Sequence, residues 1–475
     1  MKKILIWMLS VVLIASMAFA GISCKAEAVE EVSEAAEEVA EEEAAEIEEP
    51  AEQKTTTVKM VYWPGPESDA MQKVVEYYNT TMTPETGVSI EMVLFSREGF
   101  WEKQDMMMAA NSNEVDMYFT ASYSVGKHSP YLEPLETYFA NKDLDQGGKI
   151  DTFIASAADS LKWEDTQFAI PLDVSNHFMY YRTDLMEKLL SDAAWQQKYT
   201  EIAKQELGLE LTPKSPDEWV WEDYIATSLF FTKKYNPDSP TTYGTVLQAS
   251  NVIYNIMIWD DVLYSLGGSW FDDEGKFNID TPEALKAMEV YTTLLEKGAT
   301  SAGATSFEHP ESLEVYKTGN AAAMLHWSSA SVELFDPAMT EFANVTGVAP
   351  IPGPKPSTHV HALGVGINKF SDNKEAAFKW MSFLSTPEAL TLYAEGGGIP
   401  PVESVLANLG SVKPIFPYIA EHTKKYGYVE TTQPETVPIL EVLAVKLSSA
   451  WAGETESKDA LTQAQEEIED LLGLR

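Results

Sequence analysis

The sequence predicts an α/β protein with two domains, and three observations lead to this class. Strand-like and helix-like segments alternate from Thr57 onward. Beyond an acidic N-terminal segment about 420 residues remain, which is more than one hydrophobic core ordinarily contains. Cys24 is the only cysteine, so intramolecular disulfides are excluded and stability has to come from packed cores. Alternating strands and helices indicate sheets that are covered by helices.

Residues 1–23 are typical of an export signal. Two lysines precede the apolar run Ile4–Phe19, which is too short for a transmembrane helix. Gly21-Ile22-Ser23-Cys24 resembles a bacterial lipobox, although Gly21 stands where Leu, Ile or Val is usual. We therefore expect a signal peptide over residues 1–23, lipidation of Cys24 and a location outside the cytoplasm. Ala18-Phe19-Ala20 also fits ordinary signal peptidase, so a freely secreted protein with an unmodified thiol is the open alternative.

The segment after the cysteine is predicted to be a disordered, acidic tether over residues 24–57. Lys25 to Gln53 contain thirteen Glu, one Lys and no aromatic residue. Such a segment cannot bury enough apolar surface to offset the entropy of ordering it, and its like charges favour extension. An acidic interaction tail is the alternative, but the position favours a spacer between a membrane anchor and a folded body.

The net charge excludes several classes of partner. The chain carries −41 at pH 7, and residues 1–53 hold thirteen acidic and three basic side chains, so −31 remains on the folded body. A body this acidic repels phosphate backbones and anionic head groups, so we expect no nucleic-acid partner. The sequence of the body also shows no apolar run long enough to cross a bilayer and no repeat of solenoid spacing.

The first domain is predicted from a regular alternation of elements. These are strand Thr57–Tyr62, helix Asp69–Tyr78, strand Val88–Leu94, helix Trp101–Ala110 and strand Val115–Phe119. This order indicates a doubly wound sheet, whose ligand crevice lies at the carboxyl ends of its strands. Residues directly after these strands are therefore candidates for a functional site.

The chain changes character after the strand Phe168–Pro171, and helices dominate its second part. We predict helices over Asp184–Leu190, Pro216–Lys233 and Tyr254–Leu266 and from Thr281 to Lys297. The last of these has a Thr cap and Pro282 at its start. The acidic segment Phe271–Phe277 fails the EF-hand spacing, so we predict a hairpin turn closed by Gly275 rather than a calcium loop.

Several side chains at strand ends are candidates for ligand binding. Trp63 follows the first strand and precedes a Pro-Gly-Pro turn at the crevice mouth, with a core role as the alternative. Ser122 and Tyr123 follow the third strand. Asp116 lies within that strand and is as well suited to bracing neighbouring backbone as to binding a ligand. Trp101 stands at a helix start, and a place in the core is equally expected for it.

Histidines and glycines add further candidates. His359 and His361 lie two residues apart on a predicted strand and share one face, but a metal site needs a third ligand, and neither a His-Glu-x-x-His motif nor a cysteine pair occurs. We expect no metal and no cofactor, and we count His361 among the ligand-binding candidates. Gly397 and Gly398, in a triple glycine, mark a loop of close approach, with a helix-terminating linker as the alternative.

Six groups of segments, taken in order, carry a resemblance to a known family. They are Phe168–Pro171 with Met179–Met186, Ser215–Trp219, Leu266–Leu285, Tyr316–Trp327, Gly364–Asn368 with Asn373–Leu384, and Gly396–Val402. In this order and spacing they resemble the extracellular solute-binding proteins of bacterial ABC importers, in the carbohydrate-binding branch that includes maltose- and oligosaccharide-binding proteins. The chain departs from the family pattern at Arg182, where Asn is common, and at Trp270, where a smaller apolar residue is frequent. Both departures are expected at the ligand cleft.

The resemblance implies a two-lobed fold of the type II periplasmic-binding-protein kind. Each lobe is a doubly wound sheet flanked by helices, and a hinge of several crossings joins the lobes around the ligand. Lobe 1 is expected at 58–169 and 364–410, and lobe 2 at 170–363 and 411–475. Hinge crossings are expected near Ala169–Leu172, His361–Gly366 and Pro400–Lys413. The site residues that the resemblance adds are Asp173, Asn176, Trp270 and Trp327.

The implied function is that of a lipid-anchored, monomeric receptor that captures a sugar or oligosaccharide between its lobes and delivers it to an ABC permease. The aromatic content of 11% suits the stacking of sugar rings, although most aromatic side chains fill cores. We expect no enzyme, since no nucleophile elbow or Walker motif occurs. Two alternatives stay open. One is a secreted glycoside-processing enzyme, because two carboxylates suffice for that chemistry. The other is a binding protein for a non-sugar solute such as a polyamine or a sugar phosphate.

Overall fold

The computed structural model describes residues 55–96, 99–411, 413–429 and 431–474. The predicted signal segment, Cys24 and nearly all of the predicted tether lie outside these residues. The α-helices are α1 Pro66–Thr81, α2 Thr83–Thr86, α3 Phe100–Ala109, α4 Val125–His128, α5 Glu136–Phe139, α6 Ala155–Asp159, α7 Thr183–Ser191, α8 Ala193–Leu207, α9 Trp221–Phe230, α10 Ile253–Ser265, α11 Pro282–Glu296, α12 His309–Lys317, α13 Ser331–Leu334, α14 Lys374–Leu384, α15 Pro387–Glu395, α16 Glu403–Asn408, α17 Phe416–Tyr426, α18 Thr436–Trp451 and α19 Ser457–Leu471.

The strands are β1 Thr56–Tyr62, β2 Val88–Leu94, β3 Met117–Ala121, β4 Lys162–Trp163, β5 Thr166–Gln167, β6 Ile170–Ser175, β7 His177–Arg182, β8 Tyr243–Val246, β9 Ala321–Trp327, β10 Thr346–Ala349, β11 Thr358–His359, β12 His361–Ile367 and β13 Gly427–Tyr428. They form a five-stranded sheet in the order β2-β1-β3-β12-β6 and a four-stranded sheet in the order β10-β7-β9-β8. Two short pairs, β11 with β13 and β4 with β5, lie outside these sheets.

The five-stranded sheet begins with the predicted alternation of strands and helices. β1 pairs in parallel with β2 over its whole length and with β3 at Met60 and Met117. Helices α1 and α3 connect these strands, which is the doubly wound arrangement expected from the sequence. β12 and β6 then extend the sheet in antiparallel orientation. Pro171 lies in β6, an edge strand, where a proline is tolerated.

The four-stranded sheet is the centre of the second half of the chain. β7 pairs in antiparallel orientation with β10 and β9, whereas β8 and β9 are parallel. Every residue of β9 is buried, and all but Tyr181 of β7 are buried. Helices cover this sheet on both faces, so its strands are continuously apolar instead of alternating, as in Phe178–Tyr181.

Two single residues connect the five-stranded sheet to neighbouring strands: Asn176 to the four-stranded sheet, and Val360 to the short pair of β11 and β13. Asn176 alone separates β6 from β7, and Val360 alone separates β11 from β12. These two residues are called the two links below, and they lie side by side because His361 pairs with Ser175. β6 and the start of β12, expected in lobe 2, are strands of the five-stranded sheet.

Helix α11 has the boundaries that its local sequence signals predict. Thr281 Oγ1 accepts the N–H of Ala284 at 3.2 Å, and Pro282 is the first helical residue. The helix ends at Glu296, and Gly298 follows with a φ of +66°. The prediction of this helix is confirmed.

The predicted helix Pro216–Lys233 is instead two elements. A 3-10 turn covers Pro216–Glu218, and α9 begins only at Trp221. Asp223 Oδ2 accepts the N–H of Val220 at 3.1 Å and so fixes the start of α9. The residue that determines where α9 begins is therefore Asp223, not Pro216.

The acidic segment after α10 is a hairpin turn, as predicted. Phe271 and Phe277 form an antiparallel bridge, and Asp272 N donates to Lys276 O at 2.9 Å. Gly275 has a φ of +77°, which a glycine adopts without strain.

The last two helices pack in the second half of the molecule, where α18 and α19 lie against each other and against α11. Among the described residues, no helix combines the length and the apolar character needed to cross a bilayer.

Candidate ligand site

The two main sheets meet at one edge, called the shared edge below, and several candidate residues collect there. His361, the first residue of β12, pairs with Ser175 at the end of β6. His177, the first residue of β7, pairs with Trp327, the last residue of β9. Ser122 donates its N–H to the backbone of β12 at 3.0 Å, which places the end of β3 there too. Carboxyl ends of strands in α/β proteins are where ligand crevices form.

Five rings form a continuous group at the shared edge, called the hinge cluster below: Tyr123, His177, Trp327, His359 and His361. The ring centroids of His177 and Trp327 are 4.1 Å apart, those of Trp327 and His361 5.4 Å, and those of Tyr123 and His361 5.1 Å. His359 lies 6.2 Å from His177 and 6.0 Å from His361. Tyr123 and His361 belong to the first sheet and its loops, and His177 and Trp327 to the second sheet. The hinge cluster therefore joins both halves of the molecule.

Trp327 lies at the centre of the hinge cluster, and 7% of its surface is exposed. Besides the two imidazoles, its ring faces Tyr254 at a centroid distance of 6.4 Å. Tyr254 is 41% exposed, so the cluster reaches solvent through this residue. An indole bordered by imidazole and phenol rings beside solvent can bind the apolar face of a ligand, while its polar neighbours bind the ligand's polar groups.

Asp261, a residue of α10, is hydrogen-bonded to the hinge cluster. His177 Nδ1 donates to Asp261 Oδ2 at 2.6 Å, and both side chains are fully buried. Asp261 Oδ1 accepts the N–H of His359 at 2.7 Å and the hydroxyl of Tyr428 at 3.0 Å. Burial raises the pKa of the Asp261 carboxyl, and the bonds from His177 oppose that rise. One carboxyl group thus ties β7, β11, β13 and α10 together.

The other two imidazoles of the hinge cluster are uncharged at neutral pH. Burial lowers the pKa of His361 to about 3, and the neighbouring His177 adds to this effect. Burial, His361 and His177 together hold the pKa of His359 well below its usual range. Nδ1 of His359, Nδ1 of His361 and Nε2 of His177 are buried without a hydrogen-bond partner in the described protein. No set of three His, Cys, Asp or Glu side chains within the described ranges is placed to hold a metal ion.

Ser122 and Tyr123 lie at the shared edge, directly after β3, where the sequence predicts them. The Oγ of Ser122 is buried and has no partner within the described part of the chain. Burial raises the pKa of Tyr123, and the adjacent Tyr254 hydroxyl raises it further. Tyr254 is in α10 and Tyr123 follows β3, so this contact also links the two halves of the molecule.

Asp173 lies in a second polar group, called the Asp173 network below, with Tyr62, Tyr393 and the backbone of Ile399. Asp173 Oδ2 accepts the Tyr393 hydroxyl at 2.8 Å and the Ile399 N–H at 2.9 Å, and the hydroxyl oxygens of Tyr62 and Tyr393 are 3.2 Å apart. Burial raises the pKa of Asp173 to about 7 against the effect of these bonds, and Glu67 contributes to the rise. Glu67 Oε2 is itself buried without a partner in the described residues.

The predicted glycine loop packs against the Asp173 network. Gly397 has a φ of +113°, which residues with a side chain rarely adopt. A Cβ on Gly398 would lie 2.1 Å from a ring carbon of Tyr393. The loop therefore needs glycine to approach Tyr393, and this approach brings the Ile399 N–H to Asp173. The close approach expected from the sequence is present, and the group approached is the Tyr393 ring.

Trp63 directly follows β1 but packs inward. Its ring lies 5.2 Å from Phe100 and 4.7 Å from Phe119, both edge to face, and only 6% of its surface is exposed. Its Nε1 is buried without a hydrogen-bond partner in the described protein. The ring thus packs in the core of the first sheet, and its Nε1–H is the one polar group of this side chain.

Asp116 lies just before β3, at the opposite end of that strand from Ser122. Its carboxylate accepts the Lys59 N–H at 2.8 Å, the Ser371 hydroxyl at 2.5 Å and the Asn373 side-chain amide at 3.1 Å. These bonds brace β1 and the segment before α14. Asp116 therefore has the bracing role that the sequence left open, and it lies away from the shared edge.

Asn176 is the link between the two main sheets. Its Nδ2 donates to Thr423 Oγ1 at 3.1 Å, and its backbone N–H donates to Ser328 Oγ at 3.2 Å. Its Oδ1 is buried without a partner in the described protein. Asn176 thus fixes the link and leaves one acceptor at the shared edge.

Two residues expected at the cleft lie elsewhere. Trp270 has no exposed surface, and its Nε1 donates to Asp260 Oδ1 at 2.8 Å in the core of the second half. Because a buried carboxylate satisfies this N–H, the core accommodates the large ring. Arg182 ends β7 at the side away from the shared edge, where it binds Asp184 through two nitrogens and lies 4.1 Å from the ring centroid of Phe342.

The sequence did not single out His177, Asp261, Tyr254 or Glu67. One signal was available: Asp260 and Asp261 stand in the otherwise apolar helix α10, where both are fully buried. Buried acids require hydrogen-bond partners, so such a pair indicates a polar network. Which histidine supplies the partner is set by a contact between residues 84 positions apart, which no local pattern encodes.

Comparison with known proteins gives the family. Residues 64–391 match the bacterial extracellular solute-binding proteins. The chain belongs to this family. A mannitol-binding protein of Pseudomonas aeruginosa is 21% identical to this solute-binding protein over 405 residues, which cover 80% of the chain and 85% of that relative. A binding protein of Brucella abortus is 24% identical over 281 residues; this match covers 58% of the chain and spans 59% of that relative's length.

Solved structures of similar proteins share the fold of this solute-binding protein. Maltose-bound MalE3 of T. maritima matches with a TM-score of 0.70 at 21% identity, over 87% of this chain and 99% of that one. A solute-binding protein of Agrobacterium vitis S4 with bound D-mannitol has a TM-score of 0.64 at 22% identity, over 88% and 98% of the two chains. The predicted two-lobed α/β fold is thereby confirmed.

Proposed function

We propose that this solute-binding protein captures an uncharged sugar or polyol at the hinge cluster and delivers it to an ABC permease. The position of Trp327 carries the proposal, since its ring contacts His177 of the second sheet and His361 of the first. A ligand on this indole touches both halves of the molecule. Contact with both halves is what allows a ligand to shift a two-lobed protein towards its closed form.

The proposed ligand contacts are the predicted residues that lie at the shared edge or in the Asp173 network. They are Ser122, Tyr123, Asp173, Asn176, Trp327, His361, Gly397 and Gly398. Trp63 is added because its buried Nε1 has no partner among the described residues. Trp327 would stack on an apolar face of the ligand, and the polar atoms around it would bind hydroxyl groups. Trp270 and Asp116 are left out because their contacts lie in the core and in the brace of β1.

The chemistry of the hinge cluster favours an uncharged ligand over the two charged alternatives. The cluster contains neither Lys nor Arg, so a sugar phosphate would lack a cationic partner. A polyamine needs carboxylates, but Asp261 is occupied by His177, His359 and Tyr428. Hydroxyl groups, in contrast, match the unpaired ring nitrogens of the cluster.

The solved structures of similar proteins provide suitable test ligands. MalE3 of T. maritima is described with maltose, the Agrobacterium vitis protein with D-mannitol and an Agrobacterium radiobacter protein with ribitol. Identity to each is at most 22%. A panel of these three compounds therefore tests sugars and polyols, and spermidine and glucose 6-phosphate test the charged alternatives.

Binding without turnover is the central test of the proposed function. Thermal unfolding of the purified protein is followed with each compound, and reducing-sugar release is assayed in the same samples. A ligand at a hundredfold excess over its Kd stabilises the folded state by about 2.7 kcal/mol, so the melting temperature should rise with a sugar or polyol and no product should form. Released reducing sugar would indicate a glycoside-processing enzyme, and stabilisation by spermidine or glucose 6-phosphate alone would replace the proposed ligand class.

We also propose that Cys24 is lipidated and that residues 24–57 tether the binding body to the membrane outside the cytoplasm. The lipobox-like sequence before Cys24 and the acidic composition after it support this arrangement. Cells expressing the full chain are labelled with radioactive palmitate. Label should enter the wild type and be absent from Cys24→Ser. An unlabelled wild type whose N-terminus begins at Gly21 would show a secreted protein instead.

A further inference from the structure

We infer that His177 and His359 bind ligand hydroxyls together with His361, and that Asp261 is a positioning residue that sets the proton on His177. This inference rests on the proposed function, because it assigns further polar groups of the same site. It adds His177 and Asp261, which the sequence pattern did not single out, and His359, which the sequence raised only as half of a metal pair. It also restricts the expected ligands to compounds that carry hydroxyl groups around an apolar face.

The unpaired ring nitrogens are the first observation behind this inference. Nε2 of His177, Nδ1 of His359 and Nδ1 of His361 are buried without a partner among the described residues. The exposed fractions of these side chains are 0%, 2% and 7%. Buried polar atoms in folded proteins nearly always have a partner, so three unpaired atoms in one group of touching rings point to a partner from outside the chain.

The position of the three imidazoles is the second observation. All three lie at the shared edge, around the two links: His177 follows Asn176, and His359 and His361 flank Val360. Trp327 lies against His177 and His361 with ring centroids 4.1 and 5.4 Å away. A ligand that stacks on this indole is therefore within reach of imidazoles from both sheets.

Asp261 determines which nitrogen of His177 faces the ligand. Its Oδ1 accepts two donors, the His359 N–H and the Tyr428 hydroxyl, and its Oδ2 accepts His177 Nδ1. A carboxylate that accepts on both oxygens requires a proton on Nδ1 of His177. Since Nδ1 is bonded to Asp261, Nε2 is the nitrogen of His177 that faces the ligand, and a ligand hydroxyl, which can both donate and accept, fits it.

These unpaired nitrogens define the chemical class of the ligand. A hydroxyl group both donates and accepts, so it can pair with each ring nitrogen, whereas a carboxylate or phosphate can only accept. The apolar surface of Trp327 requires a face of C–H groups between the hydroxyls. Sugars and linear polyols have both features, so the imidazole set would select them against anionic sugars.

Asp261→Asn tests the role of Asp261 with almost no change in shape. Asn Oδ1 can keep the bonds to the His359 N–H and the Tyr428 hydroxyl, while its Nδ2 replaces Oδ2 and donates to His177 Nδ1. Nδ1 of His177 must then lack a proton, so the imidazole carries its proton on Nε2. His177→Gln removes the imidazole altogether and serves if Asp261→Asn fails to fold.

Asp260→Asn is the matched control. Asp260 is the neighbouring residue of the same helix and is equally buried, but it accepts Trp270 Nε1 at 2.8 Å and lies outside the hinge cluster. An Asn at this position can still accept the indole N–H through its Oδ1. Loss of binding caused by general damage to α10 would therefore appear in this control as well.

The experiment combines a measurement on the ligand-free protein with a binding measurement. Nitrogen-15 NMR of labelled histidines in the full chain should show Nδ1 of His177 protonated in the wild type and Nε2 protonated in Asp261→Asn. Calorimetry with maltose, D-mannitol and ribitol should show an affinity about tenfold to hundredfold lower in Asp261→Asn and His177→Gln, and unchanged in Asp260→Asn.

Each result bears on a separate part of the inference. A wild-type His177 with its proton on Nε2 would overturn the role of Asp261, and wild-type affinity in Asp261→Asn and His177→Gln would overturn the assignment of His177. If His359→Gln also binds like the wild type, His359 is not a ligand residue. Failure of the wild type to bind any of the three compounds would contradict both the proposed function and the ligand assignment. The NMR result would in that case test only whether Asp261 determines which nitrogen of His177 is protonated.

Discussion

Gly126 lies directly against the backbone of Thr432: a Cβ on Gly126 would stand 2.1 Å from the Thr432 carbonyl oxygen. Gly126 is in α4, which follows β3 of the first sheet. Thr432 leads into α18, whose buried side chains pack in the core of the second half of the molecule. The absence of a side chain at residue 126 thus allows the two halves to touch beside the shared edge.

Gly126→Ala should therefore hold the two halves apart. Backbone atoms within 3 Å of a Cβ cannot be accommodated without a shift, so the arrangement of the two halves seen in the structure becomes less populated. Ligand affinity should fall about tenfold, since binding is reduced by the fraction of binding-competent molecules. Calorimetry with the best compound of the panel measures the affinity, and small-angle X-ray scattering should show a larger radius of gyration. Lys127→Ala is the control, because it changes the same helix at an exposed residue. Unchanged affinity and radius in Gly126→Ala would show that this contact does not determine that arrangement.

Trp327 and Trp270 form a matched pair for separating binding from stability. Trp327→Ala should lower ligand affinity by at least tenfold while the ligand-free protein stays folded, because Trp327 borders solvent through Tyr254. Trp270→Ala should cost about 3–5 kcal/mol of unfolding free energy, because this ring is fully buried and its N–H is bonded to Asp260. Urea unfolding and calorimetry measure the two quantities. A loss of stability in Trp327→Ala as large as that in Trp270→Ala would make Trp327 a core residue.

Asp173 should make the stability of the protein depend on pH. Its pKa in the folded protein is about 7, above the ordinary value of 3.8, so the folded state binds this proton more tightly than the unfolded state. The stability that the protonated carboxyl gives is fully present below about pH 4 and is lost as the pH rises through about 7. Between these values the free energy of unfolding should decrease as pH increases.

Asp173→Asn isolates this contribution, because the amide stays neutral and its oxygen can still accept from Tyr393 and Ile399. Urea unfolding of both proteins from about pH 5 to about pH 8 should show the wild type losing on the order of 2 kcal/mol relative to the variant. Parallel pH profiles of the two proteins would mean that Asp173 titrates near its ordinary pKa.

Gly398→Ala should disturb the Asp173 network through Tyr393. The new Cβ would meet the Tyr393 ring at 2.1 Å, and displacement of that ring breaks its bond to Asp173. We expect a loss of about 1–3 kcal/mol of unfolding free energy, typical of overpacking. Tyr393→Phe is the comparison, since it removes the hydroxyl and leaves the ring in place. If Gly398→Ala unfolds at the same urea concentration as the wild type, the added Cβ does not displace the Tyr393 ring.

Local patterns of the chain predicted those features that short-range chemistry controls. The alternation that gives β1, β2 and β3, the capped start of α11 and the turn at Gly275 all depend on residues within a few positions of each other. Ser122 and Tyr123 were named because they follow a strand, and they lie at the shared edge, where the carboxyl ends of strands meet. Trp327, which also lies there, was named from the family resemblance.

Features set by distant partners were not predictable in this way. Asp116 accepts the backbone N–H of Lys59, 57 positions earlier, and the hydroxyl of Ser371, 255 positions later. Trp270 lies in the core because a carboxylate on α10 accepts its N–H. Arg182 stands at the end of β7 away from the site, and only the pairing of β7 with β9 reveals which end that is. Sequence periodicity gives the type of element but not the neighbour that a side chain finds across the fold.

The two single-residue links are points at which one half of this protein can bend against the other. Asn176 and Val360 are both buried, and each is held by a hydrogen bond, to Thr423 and to the backbone of Tyr428. Rotation of one half against the other changes the backbone dihedrals at these neighbouring points and between α17, which packs in the core of the first half, and α18, which packs in that of the second. His177 directly follows one link and His361 directly follows the other, so such a rotation changes the position of one imidazole relative to the other. Under the proposed function, a ligand bound to both imidazoles would resist this rotation and so favour one arrangement of the two halves.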